Sequence, residues 1–243
     1  MDRRQILKQL AILPLLGVSR KLDALNKVIK PMNDTAIMPV LFLGHGSPMN
    51  AIEENEFVKG FRQLGAEIPK PSSILCISAH WETTGTRVTA METPRTIHDF
   101  GGFPKELYKV QYPAPGSPEL ASDTRKIISK TDVMLDDSWG LDHGSWSVLK
   151  HIYPQADIPI IQMSLDQRRS PRDHYELAQE LAPLRHKGVL IVGSGNIVHN
   201  LRRIAWDKLA EPGFGYDWAL EVNEKVKQFM FDRSHDSLIN YDG

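Results

Sequence analysis

The chain has 243 residues, of which 41% are hydrophobic and 24% charged, enough for one domain with a sizeable core and ordinary for a soluble globular fold. A formal net charge of −1 gives no overall bias toward nucleic acid or an anionic membrane surface. The one cysteine, Cys76, excludes an intramolecular disulfide and any thiolate-rich metal site. A metal would therefore be held by His, Asp or Glu.

Arg3-Arg4-Gln5-Ile6-Leu7-Lys8 resembles a twin-arginine export signal, and the apolar stretch from Leu10 to Val18 suits a signal core. That stretch is too short to cross a membrane as a helix. Gly17-Val18-Ser19 is a weak cleavage candidate. Residues 1–36 are read as a signal-like segment, which implies a periplasmic protein; a basic amphipathic helix on a cytoplasmic protein is the other reading. The fold argument concerns residues 37–243.

From Pro39 onward, strand-like and helix-like segments alternate. Val40–Leu43 is a short apolar strand. Glu56–Gly65 has helical spacing at Phe57, Phe61 and Leu64. Ile74–Ser78 is a second buried strand, and the alternating Arg87–Met91 a third, of edge character. Glu92–Gly116 is rich in Pro and Gly with little periodicity, a loop length that tends to be functional. Ser117-Pro118-Glu119 opens a helix with an N-cap serine and a proline at the first helical position, running to about Ser129. Ile158–Leu165 is a strand. Ser170-Pro171 starts a helix that ends near Gly188, and Val189–Val192 is a buried strand. Asn196–Trp206 and Tyr216–Asp232 read as helices. The alternation predicts an α/β fold, a single domain with a central mixed sheet flanked by helices on both faces.

Two strands run straight into histidine motifs: Gly44-His45-Gly46-Ser47-Pro48 and Ser78-Ala79-His80-Trp81. Carboxyl ends of strands are where such folds place ligands. Two imidazoles aimed at one crevice are a common start to a mononuclear metal site. A third histidine, His199, follows the Gly-rich turn after Val189–Val192. His143, in Asp142-His143-Gly144-Ser145-Trp146, opens a helix, with Asp142 either its cap or a partner of the imidazole. His98 lies beside Asp99 in the long loop. Each of these residues is also readable as a structural histidine. His151, His174, His186 and His235 are read as structural. No nucleophile elbow, P-loop or His-Glu-x-x-His occurs, and the tryptophans are too scattered for a base-stacking platform.

Six motifs occur together and in order: Gly44–Pro48, Ser78–Trp81, Thr96–Phe100, Tyr112–Gly116, Asp142–Trp146 and Gly195–Asn200. From about Met38 to Asn240 the chain resembles the DODA-type class III extradiol ring-cleavage dioxygenases, the 4,5-DOPA dioxygenase group related to LigB-type enzymes. The resemblance implies a metal held by His45 and His80, with His199 as a further ligand or as the acid/base. It puts His143 in the catalytic and substrate pocket, with His98 as a weaker substrate-binding candidate. It implies Fe(II) for catalysis, Zn(II) as an occupant of the same ligands, and a small catechol such as L-DOPA with O₂ as substrates.

Family members continue past the segment matching Leu238–Tyr241 and carry a further histidine there, in a Pro-Glu-His context. The resemblance thus leads to the expectation of a domain at 37–243 lacking the family's C-terminal end, with weakened metal affinity. A metal-binding protein of the same fold without dioxygenase activity is the alternative. A zinc hydrolase is a weaker third, since His-bound zinc activates water.

Overall fold

A computed structural model describes residues 37–208 and 213–241; the signal-like segment 1–36 lies outside the described residues. These residues form two compact units, one of residues 37–195 and one from Asn196 onward. No helix among them is long and apolar enough to cross a membrane.

The larger unit is built on a six-stranded sheet in the order β1-β6-β2-β5-β3-β4. Its strands are β1 (Val40–Leu43), β2 (Ser73–Thr83), β3 (Thr86–Thr89), β4 (Val133–Asp136), β5 (Ile160–Asp166) and β6 (Val189–Ser194). All neighbours pair in parallel except β3 and β5, which are antiparallel, so the sheet is mixed as the alternation predicts. Helices α1 (Glu56–Glu67), α2 (Pro118–Ile127), α3 (His143–Ile152), α4 (Pro171–Glu180) and α5 (Ala182–Arg185) complete the unit.

Strand periodicity sorts the core into two halves. Ile74, Cys76, Ile160, Leu190 and Val192 pack with Phe61 of α1 and Trp146, Leu149 and Ile152 of α3. Their chain neighbours Leu75, Ile161, Val189 and Ile191 pack with Leu120 and Ala121 of α2, Leu177 of α4 and Leu184 of α5. Successive strand residues point to opposite faces, so helices cover both faces of the sheet. Each fully buried aliphatic side chain contributes roughly 1.5–3 kcal/mol. Continuous apolar runs rather than alternating ones are the mark of strands buried on both sides.

Four expectations are corrected. β3 is interior, and the edge belongs to β4, whose four residues, with only Val133 and Asp136 buried, are too short to show a period. On α1 it is Val58 and Phe61 that are buried, while Phe57 faces solvent. Asn196–Trp206 is not a helix: it contains only a 3-10 turn at Leu201–Arg203, with another beginning at Trp206. Gly195, Asn196, the β-branched pair Ile197-Val198 and Asn200 are all weak helix formers, and the Asn200 side chain accepts from the Arg202 N–H at 3.1 Å. The helix from Pro171 also divides at Leu181, ahead of Pro183.

The smaller unit carries α6 (Asp217–Asp232) and α7 (His235–Ile239). Arg203 lies over the rings of Tyr216 and Trp218 within it.

Candidate metal centre

β1, β6 and β2 are adjacent and parallel, so their carboxyl ends form one rim. Leu43 and Ser78 both pair in register with Ser194. Two residues past Leu43, His45 turns back over that rim. Gly46, at φ 65°, takes a left-handed conformation that a side chain would strain. Ser47 caps the 3-10 turn Pro48–Ala51, and Asn50 Nδ2 donates to the His45 carbonyl at 3.0 Å. The turn thus holds the backbone of His45 as well as following it.

His80 is placed by an irregularity in β2. The β2–β5 register passes from Ile77↔Met163 to Glu82↔Leu165, five steps along one strand against two along the other. Extra residues in one strand bend it and re-aim side chains, and Ser78–Trp81 is the stretch displaced. β2 therefore continues through His80 instead of ending before it.

His143 is the first residue of α3. Asp142 is the N-cap, accepting from the Ser145 N–H at 3.1 Å. Burial pushes the Asp142 carboxyl above its ordinary value, against hydrogen bonds from Ser78, Gln162 and the Ser145 N–H and with the help of the Asp99 charge. The same carboxylate thus ties the start of α3 to Ser78, two residues before His80. The helix comes so close that a Cβ on Gly144 would lie 2.9 Å from His80 Cδ2 and closer still to Ser78 Oγ. Glycine is required there by space.

These three elements bring His45, His80 and His143 together, with one ligand nitrogen of each within 4.8 Å of the others. His45 and His143 are buried and His80 is partly so. The Nε2 atoms of His45 and His80 are 3.1 Å apart. Imidazole nitrogens bound to one metal at ~2.0–2.1 Å and ~95–110° stand ~3.0–3.4 Å apart, so the spacing fits a shared ion. Behind the rings, Ser194 engages His45 and the Asp99 carboxylate lies beside the other two. His45 Nδ1 is 3.0 Å from Ser194 Oγ, whose own hydroxyl proton goes to the Gly144 carbonyl, so the serine accepts from the ring. His143 Nδ1 is 3.0 Å from Asp99 Oδ1, and His80 Nδ1 is 3.6 Å from Asp99 Oδ2. A hydrogen-bonding partner behind the ring, as Ser194 is for His45, is the usual support of a metal-binding histidine.

Asp99 also accepts the His143 backbone N–H at 2.9 Å. Burial alone would raise its carboxyl, but the nearby His143 side chain and the hydrogen bond from its backbone N–H outweigh that and hold it below the ordinary carboxylate value. The loop that carries Asp99 is well pinned. Thr96 bridges to Leu141, Ile97 N–H donates to the Leu141 carbonyl at 2.7 Å, and Trp146 Nε1 donates to the Ile97 carbonyl at 2.8 Å. Its Phe100 ring stands edge-on to His143 at 5.5 Å and contacts Phe103, Tyr108 and Trp146. The loop is a fixed aromatic wall beside the three histidines.

The residues expected to form the site are thus partly gathered. His45 and His80 meet, and His143 joins them at ligand distance. His98 is outside the trio: its Nε2 is bound to the Val110 carbonyl at 3.0 Å, and its ring packs with Phe100, Tyr108 and Trp146. His199 belongs to the smaller unit. Sequence reasoning passed over Ser194 and gave Asp99 no role. The signal for Asp99 was an acid next to a histidine in a long patterned loop; Ser194 offered none beyond its place at a strand end.

The family described as "Catalytic LigB subunit of aromatic ring-opening dioxygenase" matches residues 39–239. The chain is 52% identical over 191 residues to the 4,5-DOPA dioxygenase extradiol of Escherichia coli (strain K12), covering 78% of this chain and 69% of that one. It is 44% identical to the protein of the same name from Beta vulgaris, over 67% of this chain and 63% of that one. The chain thus spans about two thirds of the length of these relatives. A crystal structure of an uncharacterized protein from Escherichia coli K12 superposes with a TM-score of 0.70 at 43% identity, covering 84% of this chain and 78% of that one.

Proposed function

The chain belongs to the LigB family of aromatic ring-opening dioxygenases, and on that premise we propose that it opens the ring of a small catechol such as L-DOPA with O₂, at Fe(II) held by His45, His80 and His143. The observation that carries the reading is the convergence of three imidazoles at ligand distance from one another, with Ser194 bound behind His45 and the Asp99 carboxylate close to the other two. Bound there, Fe(II) supplies the redox link by which the electrons of a catechol reach O₂. Zn(II) suits the same nitrogens but has no redox chemistry.

The protein's own part is to bind, orient and exclude. Three neutral imidazoles add no negative charge to a divalent ion, so the centre favours an anionic ligand, and a catechol that has lost its hydroxyl protons is one. Phe100, edge-on to His143, offers the aromatic ring an apolar flank. The pinned loop keeps that flank in place and limits water at the centre. Protons released by the catechol need an acceptor, and histidine is the side chain most often used. His199 is assigned that role on the strength of its motif.

The test is O₂ consumption by the purified chain, loaded anaerobically with Fe(II), on addition of L-DOPA and other catechols. Catechol-dependent uptake with a yellow ring-opened product, and none with Zn(II), is expected. Metal held by the three histidines with no uptake on any catechol would refute the oxygenase reading and leave a metal-binding protein. His199→Ala is expected to retain metal and lose turnover; full activity would remove His199 from the mechanism.

A further inference from the structure

Four groups at the centre stand in one line of contacts, and one end of that line is fixed. Ser194 Oγ, at the end of β6, lies against the Gly144 carbonyl of α3 and 3.0 Å from His45 Nδ1. On the other side of the same ring, His45 Nε2 is 3.1 Å from His80 Nε2. A carbonyl oxygen only accepts, so its contact with Ser194 takes the single hydroxyl proton. The serine is left as an acceptor toward His45. A neutral imidazole has one N–H, so the His45 proton is on Nδ1 and the lone pair on Nε2. Two lone pairs facing each other at 3.1 Å repel, so the proton between the rings is carried by His80 Nε2. His80 Nδ1 then holds a lone pair, which agrees with its distance of 3.6 Å from Asp99 Oδ2, beyond hydrogen-bond reach.

We propose that Ser194 is a positioning residue: oriented by the Gly144 carbonyl, it holds His45 as the Nδ1–H tautomer with Nε2 ready for a metal ion, and it makes His80 the ring that moves its proton when metal enters. The consequence for metal binding rests on the metal-centre reading above; the tautomers of the metal-free chain do not. His45 and Ser194 are both buried, so the serine hydroxyl is the acceptor that a ring N–H inside the fold relies on. A metal ion on His45 Nε2 requires the proton on Nδ1, the state that Ser194 already favours. His80 is the opposite case. Its Nε2 proton has to leave the centre, and on Nδ1 it faces the Asp99 carboxylate.

Ser194→Ala removes the fixed end of the line. The acceptor left to His45 along it is then His80 Nε2, and the His80 proton has Asp99 Oδ2 on the other side of its ring. The two rings should therefore exchange tautomers together, which a loss of packing alone would not produce. The experiment uses the full chain, metal-free at pH 8, above the ordinary histidine titration, and labelled with ¹⁵N-histidine. Long-range ¹H–¹⁵N correlations report each tautomer, assigned by single His→Gln substitutions, before and after addition of zinc. Zinc affinity is measured by competition with a chromophoric chelator.

The expected result in the metal-free natural chain is Nδ1–H at His45 and Nε2–H at His80. Zinc should change His80 to Nδ1–H and leave His45 as it was. In Ser194→Ala, His45 should change to Nε2–H and His80 to Nδ1–H, and zinc affinity should fall roughly 10- to 100-fold. An Nε2–H tautomer at His45 in the natural chain overturns the proposal, and this arm decides it even where Ser194→Ala does not fold. A folded Ser194→Ala in which His45 keeps its Nδ1 proton overturns it as well. Expected tautomers, with the joint exchange in Ser194→Ala, in a chain that binds no zinc would uphold the hold of Ser194 on the ring while refuting the metal-centre reading.

Discussion

Replacing Gly144 with alanine sets two effects of comparable size against each other. Gly144 is the second residue of α3, where alanine would ordinarily be favoured over glycine by about 1 kcal/mol. The new methyl would stand 2.9 Å from His80 Cδ2, and nearer still to Ser78 Oγ. An ordinary carbon contact begins at ~3.4 Å, so the ring has to retreat by ~0.5 Å, and overpacking of this kind costs ~1–3 kcal/mol. The helix cannot yield easily, because Asp142 caps it and Trp146, Val148 and Leu149 are fully buried. Net stability should therefore fall by ~0–2 kcal/mol. The metal centre should suffer more, since ligand distances tolerate about ±0.2 Å and the displaced ring carries the nitrogen now 3.1 Å from His45 Nε2. A loss of zinc affinity of roughly tenfold or more is expected. Chelator competition and thermal melts, with and without zinc, read the two quantities separately. A Gly144→Ala chain that melts higher and binds zinc as tightly as its parent would refute the close-approach argument, leaving helix propensity as the only effect.

His45→Ala, His80→Ala and His143→Ala should each lower zinc affinity by roughly 100-fold or more, while His98→Ala should leave it unchanged. Equal loss at His98 would contradict its engagement with the Val110 carbonyl. Burial, with the Asp142 charge adding to it, pushes the Cys76 thiol well above its ordinary value. The native chain should thus resist alkylation at pH 8 and react only on unfolding; prompt modification of the folded protein would count against a sealed core. Burial works against ionisation of Asp136, but the Trp139 and Ser138 N–H groups, the Ser138 hydroxyl and Arg87 prevail and lower its pKa. A lowered carboxyl stabilises the fold above the unfolded-state value near ~4 and loses that contribution as pH falls through and below it. Asp136→Ala should cost about 2 kcal/mol at neutral pH, with the difference from the parent closing in denaturant titrations near pH 2. A constant difference across that range would refute the linkage.

Much of the fold is legible along the chain because its signals are local. Runs such as Ile74–Ile77 and Val189–Val192 announce strands buried on both faces, and Ser117-Pro118 and Ser170-Pro171 announce helix starts through caps that satisfy the first free N–H groups. Where the signal is short or weak, the reading fails. β4 is short and buried only at its two ends, so it shows no strand period, and the stretch from Asn196 has apolar spacing but poor helix formers. The motifs of His45 and His80 are legible for a similar reason: each adjoins an apolar strand run.

What the sequence determined by itself was the set of chemical groups and the rim they occupy: imidazoles after β1 and near the end of β2, another opening α3, and no thiolate alternative. Which of them meet was decided by tertiary structure. The sheet order sets β1 and β2 on either side of β6, the register shift in β2 turns His80, and the close approach of Gly144 brings in His143. Asp99 gains its place only when the loop is pinned to Leu141 and Trp146. Ligand convergence depends on separations of a few ångströms between residues 35 or more positions apart in the chain, and no local propensity encodes such a distance; it is fixed by strand pairing and packing across the whole sheet.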